Sequence, residues 1–155
     1  MFSGGYEHSV DEKGRVIIPA VFREELGKNF VITRGMGACL WVMTEEYWIE
    51  QFDNVFKRLP LLHQGNIKLQ RHFSAGASMS MNIDTQGRVA IPSILRDYVS
   101  IKPDSQAMVL GVSTRLEIWN KDIWVSESSK VSEAELALAA EQVGLVGPIT
   151  GYLNA

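Results

Sequence analysis

The apolar residues of this chain fall into short runs of two different periods, and the alternation between those periods predicts its elements. Val16, Ile17 and Ile18 follow a polar turn and lead into Pro19; a run so short and β-branched reads as a strand. Ile18 precedes a proline and is pushed toward extended geometry, while Pro19 suits the start of a helix. AVFREELG supplies that helix, with Gly27 as its stop. FVITRGMGACLWVM then offers two β-rich runs split by a glycine-rich turn. From Trp48 the period lengthens. Trp48, Phe52, Val55, Phe56 and Leu59 recur at i, i+4, i+7, i+8 and i+11, one apolar stripe of a helix that Thr44 caps and Pro60 interrupts.

This order is written twice. DEKGRVIIPAVFR begins at residue 11 and DTQGRVAIPSILR at residue 84; aligned without a gap, they share seven identities in thirteen positions, against roughly one expected from average composition. In each copy GGYEHSV or its counterpart, the turn and the following apolar run predict strand, tight turn, strand. Asp11 and Asp84 can accept hydrogen bonds from backbone N–H groups further along the turn, and Gly14 and Gly87 can take a positive φ. AMVLGVSTRLEIW is the counterpart of the second strand pair, and LWVMTEEYW (40–48) matches LEIWNKDIW (116–124), so Asn120 and Trp124 stand where Thr44 and Trp48 do.

The pattern therefore divides the chain into a first repeat at 4–48, a helical connector at 49–75, a second repeat at 76–124 and a helical tail at 125–155. In the tail, Ser132 and Glu135 form a capping box and Gly144 is a stop. The fold class is α+β. A repeat of about forty-five residues is small for a core of its own, so the two are expected to pack on each other across a pseudo-twofold axis.

Composition narrows the class. The chain has 155 residues and is 46% hydrophobic, an ordinary globular composition that buries roughly 70% of its extended surface. Cys39 is the only cysteine, so no intrachain disulfide forms. The N-terminal MFSGGYEHSV has neither the basic nor the apolar region of a signal peptide, which points to the cytoplasm. No run approaches the roughly 20 apolar residues of a membrane helix. The net charge of −3 gives no bulk reason to expect nucleic acid, but its distribution is uneven. No acid lies between Asp53 and Asp84, where Lys57, Arg58, Lys68 and Arg71 fall, and residues 126–155 carry four Glu against one Lys.

The candidate chemistry rests on the repeated residues. Arg15 and Arg88 directly follow the turn glycines. Each could pair with its own aspartate and stiffen the turn, or offer a planar fork to phosphate oxygens or a guanine edge. Arg23 and Arg96 lie within the short helices, where a solvated face beside Glu24, Glu25 and Asp97 is the simpler reading; Arg34 and Arg115 lie at the second turns. These four are secondary candidates. An enzyme finds little support. His8, His63 and His72 have no metal-ligand spacing with Cys39, which has no neighbouring histidine to activate it. GMG at 35–37 joins two strands and so fails the strand-to-helix context of a dinucleotide site.

The N-terminal MF and the two Asp-x-x-Gly-Arg turns, each running into an apolar strand, a proline and a short helix bearing an arginine, resemble the MraZ family of bacterial regulators associated with the division and cell-wall gene cluster. The likeness covers roughly residues 1–125. It implies two AbrB-like swapped-hairpin β-barrel halves with helical connectors, and a cytoplasmic, nucleoid-associated DNA-binding regulator that assembles into a ring-shaped homo-oligomer; its own operon is the expected target, and because neighbours in a ring present their turns in the same sense, the expected promoter sites are direct repeats. It also implies that the turns contact DNA, which maps onto Asp11, Gly14, Arg15, Asp84, Gly87 and Arg88; Lys13, within the first turn, is a further DNA-binding candidate. No cofactor, metal, membrane or small-molecule substrate is expected. An oligomer that lines up many arginine-bearing turns would let valency replace bulk charge. The rival reading is an oligomeric protein-interaction scaffold without sequence-specific DNA binding, to which four tryptophans and an apolar helix stripe could belong.

Overall fold

In chain order the elements are β1 (Phe2–Ser9), β2 (Arg15–Ile17), α1 (Ala20–Leu26), β3 (Phe30–Arg34), β4 (Cys39–Thr44), α2 (Glu45–Trp48), a π-helical segment Ile49–Asp53, α3 (Asn54–Arg58) and α4 (Gln64–Phe73). The second repeat follows as β5 (Ser78–Met81), β6 (Arg88–Ala90), α5 (Ser93–Tyr98), β7 (Gln106–Ser113) and β8 (Arg115–Asn120), and the chain continues with α6 (Lys121–Ser129) and α7 (Glu133–Gln142). The computed structural model describes residues 1–145. They fall into two compact units, one of Met1–Lys121 and one beginning at Asp122.

The first unit is mixed helix and strand around an antiparallel sheet, and its strands pair between the repeats. Six of them form one sheet in the order β1-β7-β8-β4-β3-β5, and β2 and β6 form a second, two-stranded one. The hairpins that the sequence suggests on either side of Asp11 and Asp84 do not form. Their turns close, but β1 runs against β7 over its whole length, from Phe2↔Ser113 to Ser9↔Gln106, while β2 pairs with β6. Only the isolated bridge Val10↔Val16 remains of the first hairpin. The reason is length: an eight-residue strand completes its ladder on an eight-residue partner, which a three-residue β2 cannot provide. In the second repeat β5 does the equivalent thing by pairing with β3.

The register gives the symmetry. Val16 stands opposite Val89 in the small sheet, and Trp41 opposite Glu117 where β4 meets β8. Both are pairs of equivalent positions in the two repeats, as an approximate twofold axis between the repeats requires. The main core has the same form, with Val16 and Val89, Ile18 and Ile91, and Phe22 and Leu95 buried together with Phe30, Ile32, Leu40, Val42, Val109, Leu116 and Ile118. Each aliphatic side chain taken fully from water contributes about 1.5–3 kcal/mol, and here each repeat supplies the burial for the other.

Alternation puts Val31, Trp41 and Met43 on the opposite face of the sheet, where the connector covers them. Trp48 and Phe73 complete this second cluster, with Phe52 stacked on Trp48 at 5.0 Å and Trp41 on Phe73 at 5.5 Å. The apolar stripe is shorter than the sequence suggests. The π-helical segment adds a residue to its turn and shifts the phase, and Leu59 ends in extended geometry at the surface. The next helix begins only at Gln64, where the His63 ring accepts the Gly65 N–H at 3.1 Å; Leu61 and Leu62 before it are 78% and 87% exposed. Thr44 caps its helix as expected, accepting the Tyr47 N–H at 3.1 Å. Pro19 and Pro92 stand as N-caps, one position ahead of the helical start.

In the second unit α7 opens at the predicted capping box, Ser132 accepting the Glu135 N–H and Glu135 reaching back to the Ser132 N–H. It closes at Gly144, which has a φ of 73°. Among the described residues no helix is long and apolar enough to cross a membrane.

Candidate nucleic-acid interface

Each repeated turn is closed by its aspartate. Asp11 Oδ1 accepts the backbone N–H groups of Lys13 at 3.0 Å and Arg15 at 2.9 Å, and Oδ2 accepts the Arg15 Nε–H at 2.7 Å. The copy repeats this arrangement atom for atom: Asp84 Oδ1 accepts from Gln86 and Arg88, each at 2.9 Å, and Oδ2 accepts the Arg88 Nε–H at 2.9 Å. The backbone closes around them, with the Gly14 N–H on the Asp11 carbonyl and the Gly87 N–H on the Asp84 carbonyl, both at 3.0 Å. The N–H of Arg15 is foremost among the groups that hold the Asp11 carboxyl below the usual carboxylate range, and the N–H of Arg88 does the same for Asp84.

Pairing of β2 with β6 brings the two turns side by side. Ile17 lies opposite Arg88, and Arg15 opposite Ala90. The Arg88 guanidinium also reaches Asp11 at 3.9 Å. The arginines do not project freely from hairpin tips: their side chains are only 27% and 25% exposed, each clamped through Nε by its own aspartate. The stiffening role is therefore real, and it leaves about a quarter of each arginine side chain at the surface. Among the described residues Arg15 has no other acceptor. Lys13 is exposed at the tip of the first turn.

Both glycines take the positive φ expected, 73° at Gly14 and 82° at Gly87. Both are also buried, and what covers them corrects the sequence reading of Arg23 and Arg96. Neither arginine belongs to a solvated helix face. Arg23 is half-buried with its guanidinium lying across Gly87, and Arg96 lies in the same way across Gly14. The side chain turns back from its helix because an unpaired carbonyl awaits it: Arg23 Nε–H donates to the Ile18 carbonyl at 2.7 Å, and Arg96 Nε–H to the Ile91 carbonyl at 3.0 Å.

Arg34 and Arg115 are committed elsewhere. Arg34 donates to the carbonyls of His72 at 2.9 Å and Arg71 at 2.5 Å, fastening the end of α4. Arg115 binds the Glu117 carboxylate at 2.8 Å and stacks over the Trp41 ring at 4.4 Å. Glu117 itself is a residue the sequence reading passed over. Nearly buried, it accepts the Trp41 indole N–H from the first repeat and the Trp119 indole N–H from the second, each at 3.1 Å. The available signal was a lone acid between apolar residues in LEIW, at the position where the first repeat has Trp41. Burial, and after it the Glu117 charge, pushes the nearby Cys39 thiol up to about 12, so it is not a nucleophile at neutral pH. Among the described residues no cluster of three or more His, Cys, Asp or Glu is arranged to hold a metal ion.

The duplication has a counterpart in known proteins. The sequence model of a family described as "MraZ protein, putative antitoxin-like" matches residues 1–71 and again residues 74–145, so its two matches begin at the same offset as Asp11 and Asp84. The chain belongs to the MraZ family. A "Transcriptional regulator MraZ" of Caldanaerobacter subterraneus subsp. tengcongensis is 46% identical over 139 residues, covering 88% of this chain and 94% of the relative. Proteins of the same name from Thermoanaerobacter pseudethanolicus and Moorella thermoacetica are 43% and 41% identical, over 94% and 92% of this chain and 100% and 97% of their own lengths.

Proposed function

We propose that this chain is a cytoplasmic, nucleoid-associated transcriptional regulator rather than an enzyme. It binds double-stranded promoter DNA, that of its own operon in the division and cell-wall cluster, through the paired Asp-x-x-Gly-Arg turns. One observation carries this reading: the pairing of β2 with β6 sets two identically built turns, each with a partly exposed arginine, next to each other on one unit. The names of the relatives support regulation of transcription. The exchange of β1 and β5 between the repeats supports the reading of 4–48 and 76–124 as AbrB-like swapped-hairpin halves. In this reading Asp11, Gly14, Asp84 and Gly87 shape the heads, Arg15, Arg88 and Lys13 touch DNA, and several copies form a ring whose neighbours present their heads in the same sense. The matching sites are direct repeats about one helical turn, roughly 10 bp, apart.

The test is fluorescence anisotropy on DNA from upstream of the gene. Arg15→Ala and Arg88→Ala each weaken binding tenfold or so and lower its salt slope by about one unit per lost phosphate contact, with little change in melting temperature. Affinity rises as direct repeats are added. If both variants bind like the parent, or single sites bind as tightly as arrays, the reading is wrong, and the scaffold alternative, which the exposed Leu61 and Leu62 favour, takes its place.

A further inference from the structure

We infer that Arg23 and Arg96 are positioning residues that act across the repeats. Arg23, in the first repeat, holds the Asp84–Arg88 turn of the second, and Arg96 holds the Asp11–Arg15 turn of the first. Sequence proximity would assign each arginine to the turn a few residues before it; the geometry assigns it to the other.

The lock has two parts. The Ile18 N–H donates to the Gly87 carbonyl at 2.9 Å, and the Ile91 N–H to the Gly14 carbonyl at 3.3 Å. Each isoleucine carbonyl in turn accepts the Nε–H of the arginine on its own short helix. One residue, Ile18, therefore ties the opposite glycine on one side and Arg23 on the other, and the guanidinium is held against that glycine. The contact is so close that a Cβ on Gly87 would collide with the Arg23 guanidinium, and a Cβ on Gly14 would lie 2.5 Å from the Arg96 Cζ. Glycine is therefore needed twice over, for its φ and for the space the arginine fills.

The chemistry favours arginine. Its planar fork can lie against a backbone face while Nε donates, whereas a lysine ammonium on a flexible stem can do only one of these. The residue so covered is the immediate neighbour of Arg15 or Arg88, whose N–H and Nε–H both go to the turn aspartate. A shift of the glycine is thus passed to the arginine proposed to touch DNA. Neither head is complete within its own repeat, and the two behave as one unit.

The binding arm of this inference rests on the DNA-contacting role of the turns; the structural arm does not. Hydrogen–deuterium exchange on the full chain compares peptides covering 11–15 and 84–88 in the parent, Arg23→Ala, Arg96→Ala and Arg23→Lys. A hydrogen bond from a charged donor is lost, so exchange at Gly87 and Arg88 accelerates about tenfold or more in Arg23→Ala. Gly14 and Arg15 change much less, and Arg96→Ala gives the reverse pattern. Arg23→Lys keeps the stem and charge, does not rescue, and stands in if the alanine variant fails to fold. In the anisotropy assay Arg23→Ala binds as weakly as Arg88→Ala, and the double variant is no weaker than either by more than about twofold, the non-additivity of residues acting as a unit. If Arg23→Ala loosens its own turn, or both turns equally, the cross-repeat lock is refuted whatever happens to binding. If exchange crosses the repeats but none of Arg15→Ala, Arg88→Ala, Arg23→Ala and Arg96→Ala alters DNA affinity, the lock stands and the DNA-contacting role of the turns falls.

Discussion

Glu117→Gln isolates the carboxylate that joins the repeats at the centre of the large sheet. Oε2 accepts the Trp41 indole N–H and two N–H groups of Arg115, and Oε1 accepts the Trp119 indole N–H. A glutamine can keep its oxygen on only one of these sides. Left toward Trp41 and Arg115, it satisfies three donors and turns its NH2 against the Trp119 N–H. The side chain is 11% exposed, so water does not relieve the clash, and two buried donors set against each other cost about 1–3 kcal/mol. Arg115 loses its counter-charge, but it is 27% exposed, and screening keeps that part below about 1 kcal/mol. The sum, about 1–4 kcal/mol, lowers the melting temperature by roughly 2–16 °C for a chain of this size. Differential scanning fluorimetry measures it. The decisive control is the same change in a Trp119→Phe background, where the conflicting donor is gone and the added cost of Glu117→Gln falls below about 1 kcal/mol. A drop of less than about 2 °C in the parent, or an equal cost in both backgrounds, refutes the argument.

Gly14→Ala combines the strain of a left-handed residue, about 1–2 kcal/mol, with displacement of the Arg96 guanidinium. It therefore costs measurably less when introduced into Arg96→Ala, and denaturant titration showing equal costs would place the arginine elsewhere. Acid supplies a further test. The carboxyls of Asp11 and Asp84 are held below their ordinary value of 3.8 in the folded chain, so the turn closure they provide is fully present above that pH and is lost as pH falls through the depressed value. Exchange protection of the Arg15 and Arg88 amides accordingly holds from pH 7 to 5 and fails only below about pH 4; loss at pH 5–6 would mean that the aspartates do not close the turns.

The local features of this fold were legible because their causes are local. The turn aspartates, the positive φ at Gly14 and Gly87, the Thr44 cap and the capping box at Ser132 each need only a few neighbouring residues, and the structure has all of them. Strand partners are a different matter. Nothing near Phe2–Ser9 distinguishes β2 from β7 as its mate; the choice depends on which distant strand completes the ladder. The roles of Arg23 and Arg96 were hidden for the same reason. On the chain they stand among Glu24, Glu25 and Asp97, and only the packing of one repeat on the other shows that each covers a glycine more than sixty residues away in sequence. Leu59 leaves the stripe because it precedes Pro60 and turns extended where its helix ends; the π-helical turn before it is a feature that hydrophobic periodicity does not reveal.

The repeats are not identical at their tips, and the difference offers a way to ask whether the tips face DNA without touching the residues that build them. Between the shared aspartate and glycine the first turn carries Glu12 and Lys13, the second Thr85 and Gln86, all four exposed. Glu12 makes no hydrogen bond or ion pair among the described residues, so Glu12→Gln leaves the turn intact. A carboxylate held about 8 Å from a phosphate across water repels it enough to change affinity about twofold per head. In an assembly engaging several heads at once the factors multiply. Glu12→Gln therefore tightens DNA binding, and Thr85→Glu at the equivalent place weakens it by a similar factor. Both effects are largest at low ionic strength and fade as the Debye length shrinks from about 30 Å at 0.01 M to about 3 Å at 1 M salt. Titrations at several salt concentrations separate this from any change in fold, which would persist at high salt. If neither substitution alters affinity at low salt, the turns lie farther than a screening length from the DNA. The contact surface must then be sought elsewhere on the molecule, with the basic connector bearing Arg58, Lys68 and Arg71 as the first place to look.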